Sequence, residues 1–523
     1  MRNIPLILLS LTALSLTSTP STAAVVSKLQ IKCKANRTSG VVPFAMTLDC
    51  SDTKVPGWSK SKVFSSLKFY ADFGDHSVTA MERMGHGSLR PVKAMRDINA
   101  ISNFVYETPG EYTVKIWVRK SKNEGWSRPY SFIVTAFNPY HPKQGIPVSK
   151  SACISQDGSF AKCPAGFKRI QLSGLETISK EVNLAGTGSS VRDVRAFGEQ
   201  VTQLLRSGYR RLHFQAGKKW FTQTPVIISN MNRVRLDTYG DYRRLGLPTI
   251  HFNSHPDTVV KKSIFESIVT VDNASDVSIT RLKITAHDDH PKGKPNGFEV
   301  RGNSPNALLL QNQIDRVHLG VKSMEPTRML YLAVVGNLIT NIGALRNGGN
   351  QSGGNGFHFS GYGLAVANNR VENTTRGEHG MRIQGAKYSV FSSNTILNPD
   401  RIRHALTLRG FEDVTKASEF NVIENNKLSS DHAWTVFVGQ SNCDGITAKQ
   451  VVQDTLLVQN DVTSKEGATN VAINFSGRRS MILGNLVRTP AMGAGIAVTA
   501  NCGVQGIAPE NVSLIGNQVA PIQ

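Results

Sequence analysis

Asn312, Asn337, Asn369, Asn394, Asn426, Asn460, Asn485 and Asn517 recur at spacings of 25 to 34 residues, and no other feature of the chain constrains its fold as tightly. Each is followed two positions later by Ile, Val or Leu, from Ile314 to Val519, and preceded two or three positions back by an apolar residue. A unit of this size cannot bury an apolar face alone, so successive units must stack and share one core. Asparagine tolerates left-handed backbone, which places these residues at a tight turn of each coil with their amides aligned in a ladder. Recurrence at every coil gives the eight a structural role.

Between the ladder positions lies a second strand set, including Gly297–Arg301, His318–Lys322, Gly356–Ser360, Gly380–Gln384 and Ala405–Arg409. Period-2 alternation sends their Phe, Leu, Met, Ile and Val side chains inward. The intervening residues then face out in two columns that climb about 4.8 Å per coil. One column reads Glu299, Gly320, His358, Arg382, Thr407, Phe437 and Asn474, and the other Arg301, Lys322, Ser360, Gln384, Arg409 and Gly439. This gathers Arg301, Lys322, His358, Arg382 and Arg409 on one face, flanked by His379, His404 and Lys387, as a cationic groove. Insertions at 347–355 and around 399–401 are expected to wall it.

The chain is expected to be exported. Arg2 precedes the apolar run Ile4–Leu16 and a Ser/Thr stretch ending in Ala23-Ala24, the pattern of a signal peptide spanning residues 1–24. No segment reaches the length of a membrane-spanning helix, so a secreted or periplasmic protein is expected. In an oxidising compartment its six cysteines should form disulfides; proximity suggests Cys33 with Cys50, Cys153 with Cys163, and Cys443 with Cys502. Sixty Lys and Arg against 38 Asp and Glu give a formal charge of +22. Such a balance favours an anionic partner; acidic polysaccharide is expected here, and nucleic acid is not.

Residues 25–137 read as an all-β module. Tyr112, Val114, Ile116 and Val118 share one strand face after the turn Thr108-Pro109-Gly110, and a second strand runs Tyr130–Ala136. The segments Phe69-Tyr70-Ala71-Asp72-Phe73-Gly74-Asp75 and Phe104–Val114 resemble the paired signature of polycystic-kidney-disease-type (PKD) domains, with Ala71 and Phe104 departing from the usual Trp and His. That resemblance implies an immunoglobulin-like sandwich acting as spacer or binding module. Residues 138–188 read as a linker or disulfide-stapled cap, and Ser190-Val191-Arg192-Asp193 opens an amphipathic helix that carries Val201, Leu204 and Leu205 on one face. A helix feeding the strand at Arg211–Gln215 suits the N-terminal cap of a coil stack.

The fold class is therefore all-β: an N-terminal sandwich followed, over 189–523, by a right-handed parallel β-helix. Its coil architecture resembles the pectin-lyase-like superfamily of polysaccharide lyases, mannuronan epimerases, glycoside hydrolases and tailspikes. For the lyases, that resemblance implies neutralisation of a uronate carboxylate, removal of the C5 proton and expulsion of the C4 oxygen. Carried onto this chain, Arg382 would neutralise the carboxylate or act as base and His358 would be its acid or base partner. Lys322, Arg409, Arg301, His404, His379 and Lys387 would bind substrate. No cofactor is required, although Asp288, Asp289 and Glu299 could bind calcium, as in some lyases of this fold; His287 and His290 lack zinc spacing. A glycoside hydrolase using Glu299 with Asp288 or Asp289, and a non-catalytic glycan-binding protein or adhesin, are the alternative readings.

Overall fold

The structure is a computed structural model. It describes residues 29–76, 94–138, 150–172, 190–222, 224–252, 267–286, 295–343, 354–372, 377–398, 404–410, 417–431, 434–439, 451–465, 471–491, 493–499 and 509–522. The expected signal peptide, Cys443, Cys502 and most of the expected groove-walling insertions lie outside these residues.

Every third strand of the C-terminal region pairs in parallel, which is the signature of a chain winding through three faces per coil. One face contains Asn296–Arg301, Val321–Met329, Gly354–Tyr362, Gly377–Gln384, Leu406–Arg409, Val436–Val438 and Val471–Phe475 in sequence. The second carries Leu308–Leu310, Ala333–Val335, Ala365–Ala367, Lys387–Ser392 and Ser418–Glu424. The third is an 11-stranded sheet that starts at Lys219–Thr222 and ends at Gln518–Pro521. Inward residues from all three faces, among them Phe357, Phe359, Met381, Ile383, Leu406 and Leu408, form one continuous core.

The asparagine ladder runs inside the stack. Each amide nitrogen from Asn312 to Asn485 donates to the amide oxygen of the next rung at 2.9–3.0 Å and also to a backbone carbonyl. The left-handed turn falls one residue earlier than the sequence suggests. Gln311, Asn368, Ser393, Asn425 and Gln459 have φ between 54° and 56°, with Gly336, Gly484 and Gly516 at the equivalent rungs. Asparagine is thus selected for its two-sided amide, and the turn is made by its predecessor.

The first face approaches the third so closely that Gly297, Gly320, Gly356 and Gly380 stack in register, and a Cβ on Gly380 would stand 2.1 Å from Cγ2 of Ile396. At the N-terminal end the helix Ser190–Arg206 buries Phe197, Val201 and Leu205, with Phe197 stacked on Trp220 at 5.6 Å. The segment read as linker or cap supplies strands Lys150–Ser155 and Lys168–Gln171, which add in parallel below Tyr209–Gln215, and the Cys153–Cys163 disulfide closes it. Cys33 pairs with Cys50. No helix among the described residues is long and apolar enough to cross a membrane.

The N-terminal module is a two-sheet sandwich. Its three-stranded sheet (Lys34–Ala35, Phe44–Asp49, Ile101–Tyr106) has both faces of its two longer strands buried, because the outer side lies against the β-helix. Outward residues of the second face, Leu308, Leu310, Ala333, Val335, Ala365, Val390 and Val422, join the module's core in a single cluster. Arg37 and Asp276 pair across this junction at 2.9 Å, and Phe64 meets Phe420 edge-on. The module is therefore a fixed side layer, which leaves the first face of the stack clear of it.

Candidate functional site

The first face carries the strip singled out by sequence, with one change of register. Val321 pairs with Phe298, so Lys322 stands beside Glu299 and His358, and Gly320 belongs to the glycine stack. The expected column is corrected to Glu299, Lys322, His358, Arg382, Thr407, Phe437 and Asn474. The nine-residue strand Val321–Met329 starts later than the expected His318–Lys322, so Lys322 rather than Gly320 stands opposite Glu299, a two-residue shift that leaves Val321 inward and Lys322 outward and that alternation alone does not reveal.

Three side chains able to act on a substrate therefore occupy consecutive rungs. Lys322 Nζ donates to Glu299 Oε1 at 2.9 Å, and Ser267 Oγ holds the other carboxylate oxygen at 2.9 Å. His358 Nε2 lies 3.0 Å from Gln384 Oε1. Arg382 Nη1 donates to Glu378 Oε2 at 3.3 Å, while its buried Nε has no hydrogen-bond partner among the described residues. Burial, opposed by the Gln384 hydrogen bond but reinforced by the Arg382 and Lys322 charges, pushes the His358 pKa down to about 4. Its imidazole is neutral at pH 7, and it can accept a proton.

The strip is less purely cationic than the sequence suggests, since Lys322 and Arg382 each have a carboxylate within reach. Glu378 was missed because it lies at i−4 from Arg382 near the start of the strand, outside the two alternating columns. The remaining candidates divide. Arg409 is buried at the upper edge, its Nε donating to Thr407 Oγ1 at 2.9 Å and its guanidinium 5.6 Å from the Phe437 ring. His379 and His404 stack at 5.4 Å on the opposite flank, and His404 continues the pile onto Phe437 and Trp434. Both histidines are buried. Arg301 lies at the lower end, exposed and paired with Asp272 at 3.0 Å. Lys387 does not join the strip: the chain has turned the corner at Gly385-Ala386, and Lys387 opens a second-face strand, bound to Glu419 at 2.7 Å.

Asp288, Asp289, His287 and His290 lie outside the described residues. Glu299 does not fit a calcium site, because an ammonium and a serine hydroxyl already engage its two oxygens. Among the described residues no group of three His, Cys, Asp or Glu side chains is placed to hold a metal ion.

No protein-family model matches the sequence, and no curated protein matches it. Solved structures with similar chains include the A-module of a mannuronan C-5 epimerase from Azotobacter vinelandii, 13% identical over 63% of this chain and 96% of that one, with a TM-score of 0.40. A thermostable α-1,3-glucanase catalytic unit from Streptomyces thermodiastaticus is 11% identical over 94% of each chain, with a TM-score of 0.37. A family 28 exopolygalacturonase from Yersinia enterocolitica is 9% identical over 95% of this chain and 99% of that one, with a TM-score of 0.34. All three are carbohydrate-active enzymes, and none of these likenesses bears on the chemistry of the strip.

Proposed function

We propose that the protein is a secreted polysaccharide lyase that cleaves an acidic, uronate-containing glycan by β-elimination at Lys322, His358 and Arg382. The observation that carries this reading is a neutral imidazole held between two cations on adjacent rungs, about 4.8 Å to either side. Arg382, whose side chain is partly exposed, receives the uronate carboxylate on its guanidinium. A unit positive charge about 4 Å from the developing enolate is worth roughly 4 kcal/mol at an effective dielectric near 20. His358 takes the C5 proton. The C5–H electron pair becomes the C4–C5 double bond as the C4–O bond breaks, and the departing oxygen takes a proton from the Lys322 ammonium. Arg409 and Arg301 lie further along the same face, placed for neighbouring uronates.

A glycoside hydrolase is the second reading, favoured by the presence of two carboxylates, Glu299 and Glu378, at the strip. Incubation with alginate, pectate and glycosaminoglycans separates the two. A lyase yields ultraviolet absorbance from the conjugated unsaturated uronate, lost in Arg382→Ala and His358→Ala. New reducing ends without that absorbance, abolished by Glu378→Gln, assign the hydrolase instead.

A further inference from the structure

The outer surface of the N-terminal module carries a second concentration of positive charge, on the side opposite the β-helix. Its five-stranded sheet pairs Lys68–Asp72 with Gly110–Arg119, so Tyr70 lies opposite Trp117 and Lys68 opposite Arg119. All four point away from the core, since Phe69, Ala71, Ile116 and Val118 between them are buried. Trp126, 38% exposed, folds back from the following turn to within 5.9 Å of Tyr70. The Arg119 guanidinium lies 4.4 Å from the Trp126 ring.

Charge distinguishes this patch from the strip on the β-helix. Lys322 and Arg382 each face a carboxylate, whereas Lys68, Arg119, Lys120 and Lys122 make no ion pair among the described residues. Burial pushes the Lys68 ammonium toward its neutral form, and the Lys122 and Arg119 charges add to that effect, opposed by the Asp97 carboxylate. Like charges crowded around three aromatic rings cost the free protein stability, and an anionic ligand would relieve that cost.

We propose that this aromatic and cationic face is a binding surface for an acidic polysaccharide, separate from the strip and independent of any reaction there. Carboxylates or sulfates would meet Arg119, Lys68 and Lys122, and sugar C–H faces would lie on Trp126, Trp117 and Tyr70. A nucleic acid fits less well. The Tyr70 ring is tilted 59° from Trp117 and 53° from Trp126, so the three make no parallel slot for stacked bases.

The test uses the full chain carrying Arg382→Ala, so that substrate is not consumed. Fluorescence anisotropy is measured with labelled oligomers of galacturonate, mannuronate and hyaluronate, and with single-stranded DNA of matched charge. Trp126→Ala and the pair Arg119→Gln with Lys122→Gln are each expected to weaken binding of at least one glycan about tenfold at low salt, with the thermal midpoint unchanged for the Gln pair. In the native background, the same substitutions leave turnover of short oligosaccharides as it was. Glycan affinities unaltered in both variants overturn the proposal, as does the absence of glycan binding by the parent. DNA bound more tightly than every glycan, and weakened by the same substitutions, overturns the choice of ligand.

Discussion

His358 Nε2 and Gln384 Oε1 meet at 3.0 Å across adjacent coils of the first face. With an amide oxygen on that side, Nε2 carries the proton and donates it to Gln384, so the glutamine selects the tautomer whose basic lone pair is on Nδ1. Gln384→Ala is expected to lower kcat about tenfold with little change in KM. Because the hydrogen bond raises the His358 pKa, its loss shifts the acid limb of the rate profile to lower pH. Gln384→Glu shifts that limb upward by placing an anion beside the ring. pH profiles of kcat/KM for the two variants check both signs, and limbs that do not move would remove His358 from the reaction.

The depressed His358 pKa also sets a stability window. The unfolded side chain titrates near its ordinary 6.5, the folded one near 4. Between those values the unfolded chain binds the extra proton, so this group's contribution rises with pH from 4 to 6.5 and is complete above. Burying the neutral ring therefore makes acidification through that window cost about 3 kcal/mol at this site. Urea unfolding of wild type and His358→Gln at pH 4, 5, 6 and 7 measures it. The variant should show the shallower pH dependence, and parallel curves would mean that the imidazole is not held neutral.

Much of this was legible in the sequence for one reason: every coil repeats the same physical problem. The ladder asparagines, the apolar residues beside them and the alternation through Phe357 and Phe359 mark the stack and its inward side, as the buried core bears out. Register at Lys322 was not legible, because sliding a strand by two residues keeps every side chain on its own face, so alternation fits Gly320 or Lys322 opposite Glu299 equally well. Glu378 was hidden for a related reason, being brought to Arg382 by the path of one strand rather than by alternation. The docking of the sandwich on the second face was invisible because Leu308, Leu310 and Val335 read simply as apolar strand residues. Their burial depends on a module more than 170 residues away in the chain.

The glycine stack makes a steric prediction. A methyl group on Gly380 would lie 2.1 Å from Ile396 Cγ2 and 2.8 Å from the Ala405 carbonyl oxygen. Gly380→Ala should destabilise by about 1–3 kcal/mol through overpacking. Ile396→Ala alone should cost about 2–5 kcal/mol by opening a cavity. The double variant should cost less than the sum, since the new methyl occupies part of the space the isoleucine leaves. Strict additivity in a denaturant double-mutant cycle would mean that the two positions do not touch.

The strongest stability prediction concerns the middle of the ladder. Asn394 donates through Nδ2 to the Val366 carbonyl and to Asn426 Oδ1, and its own Oδ1 accepts from both the backbone and the side chain of Asn369. Asn394→Ala therefore leaves the Val366 carbonyl and two Asn369 donors without this partner, in a place where Asn394 and Asn369 are each about 1% exposed. A buried unsatisfied polar group costs about 1–3 kcal/mol, so a total of about 3–5 kcal/mol is expected, allowing for partial relaxation. Asn394→Asp keeps the acceptor side but removes the amide donor and buries a charge, so it should rescue nothing. Asn517→Ala supplies the internal control: its ring of contacts begins from the part-buried last rung, where water can replace the lost bonds, and about 1 kcal/mol or less is expected. Equal costs at rungs 394 and 517 in urea titrations would show that the ladder's stabilisation does not come from keeping these amides satisfied away from water.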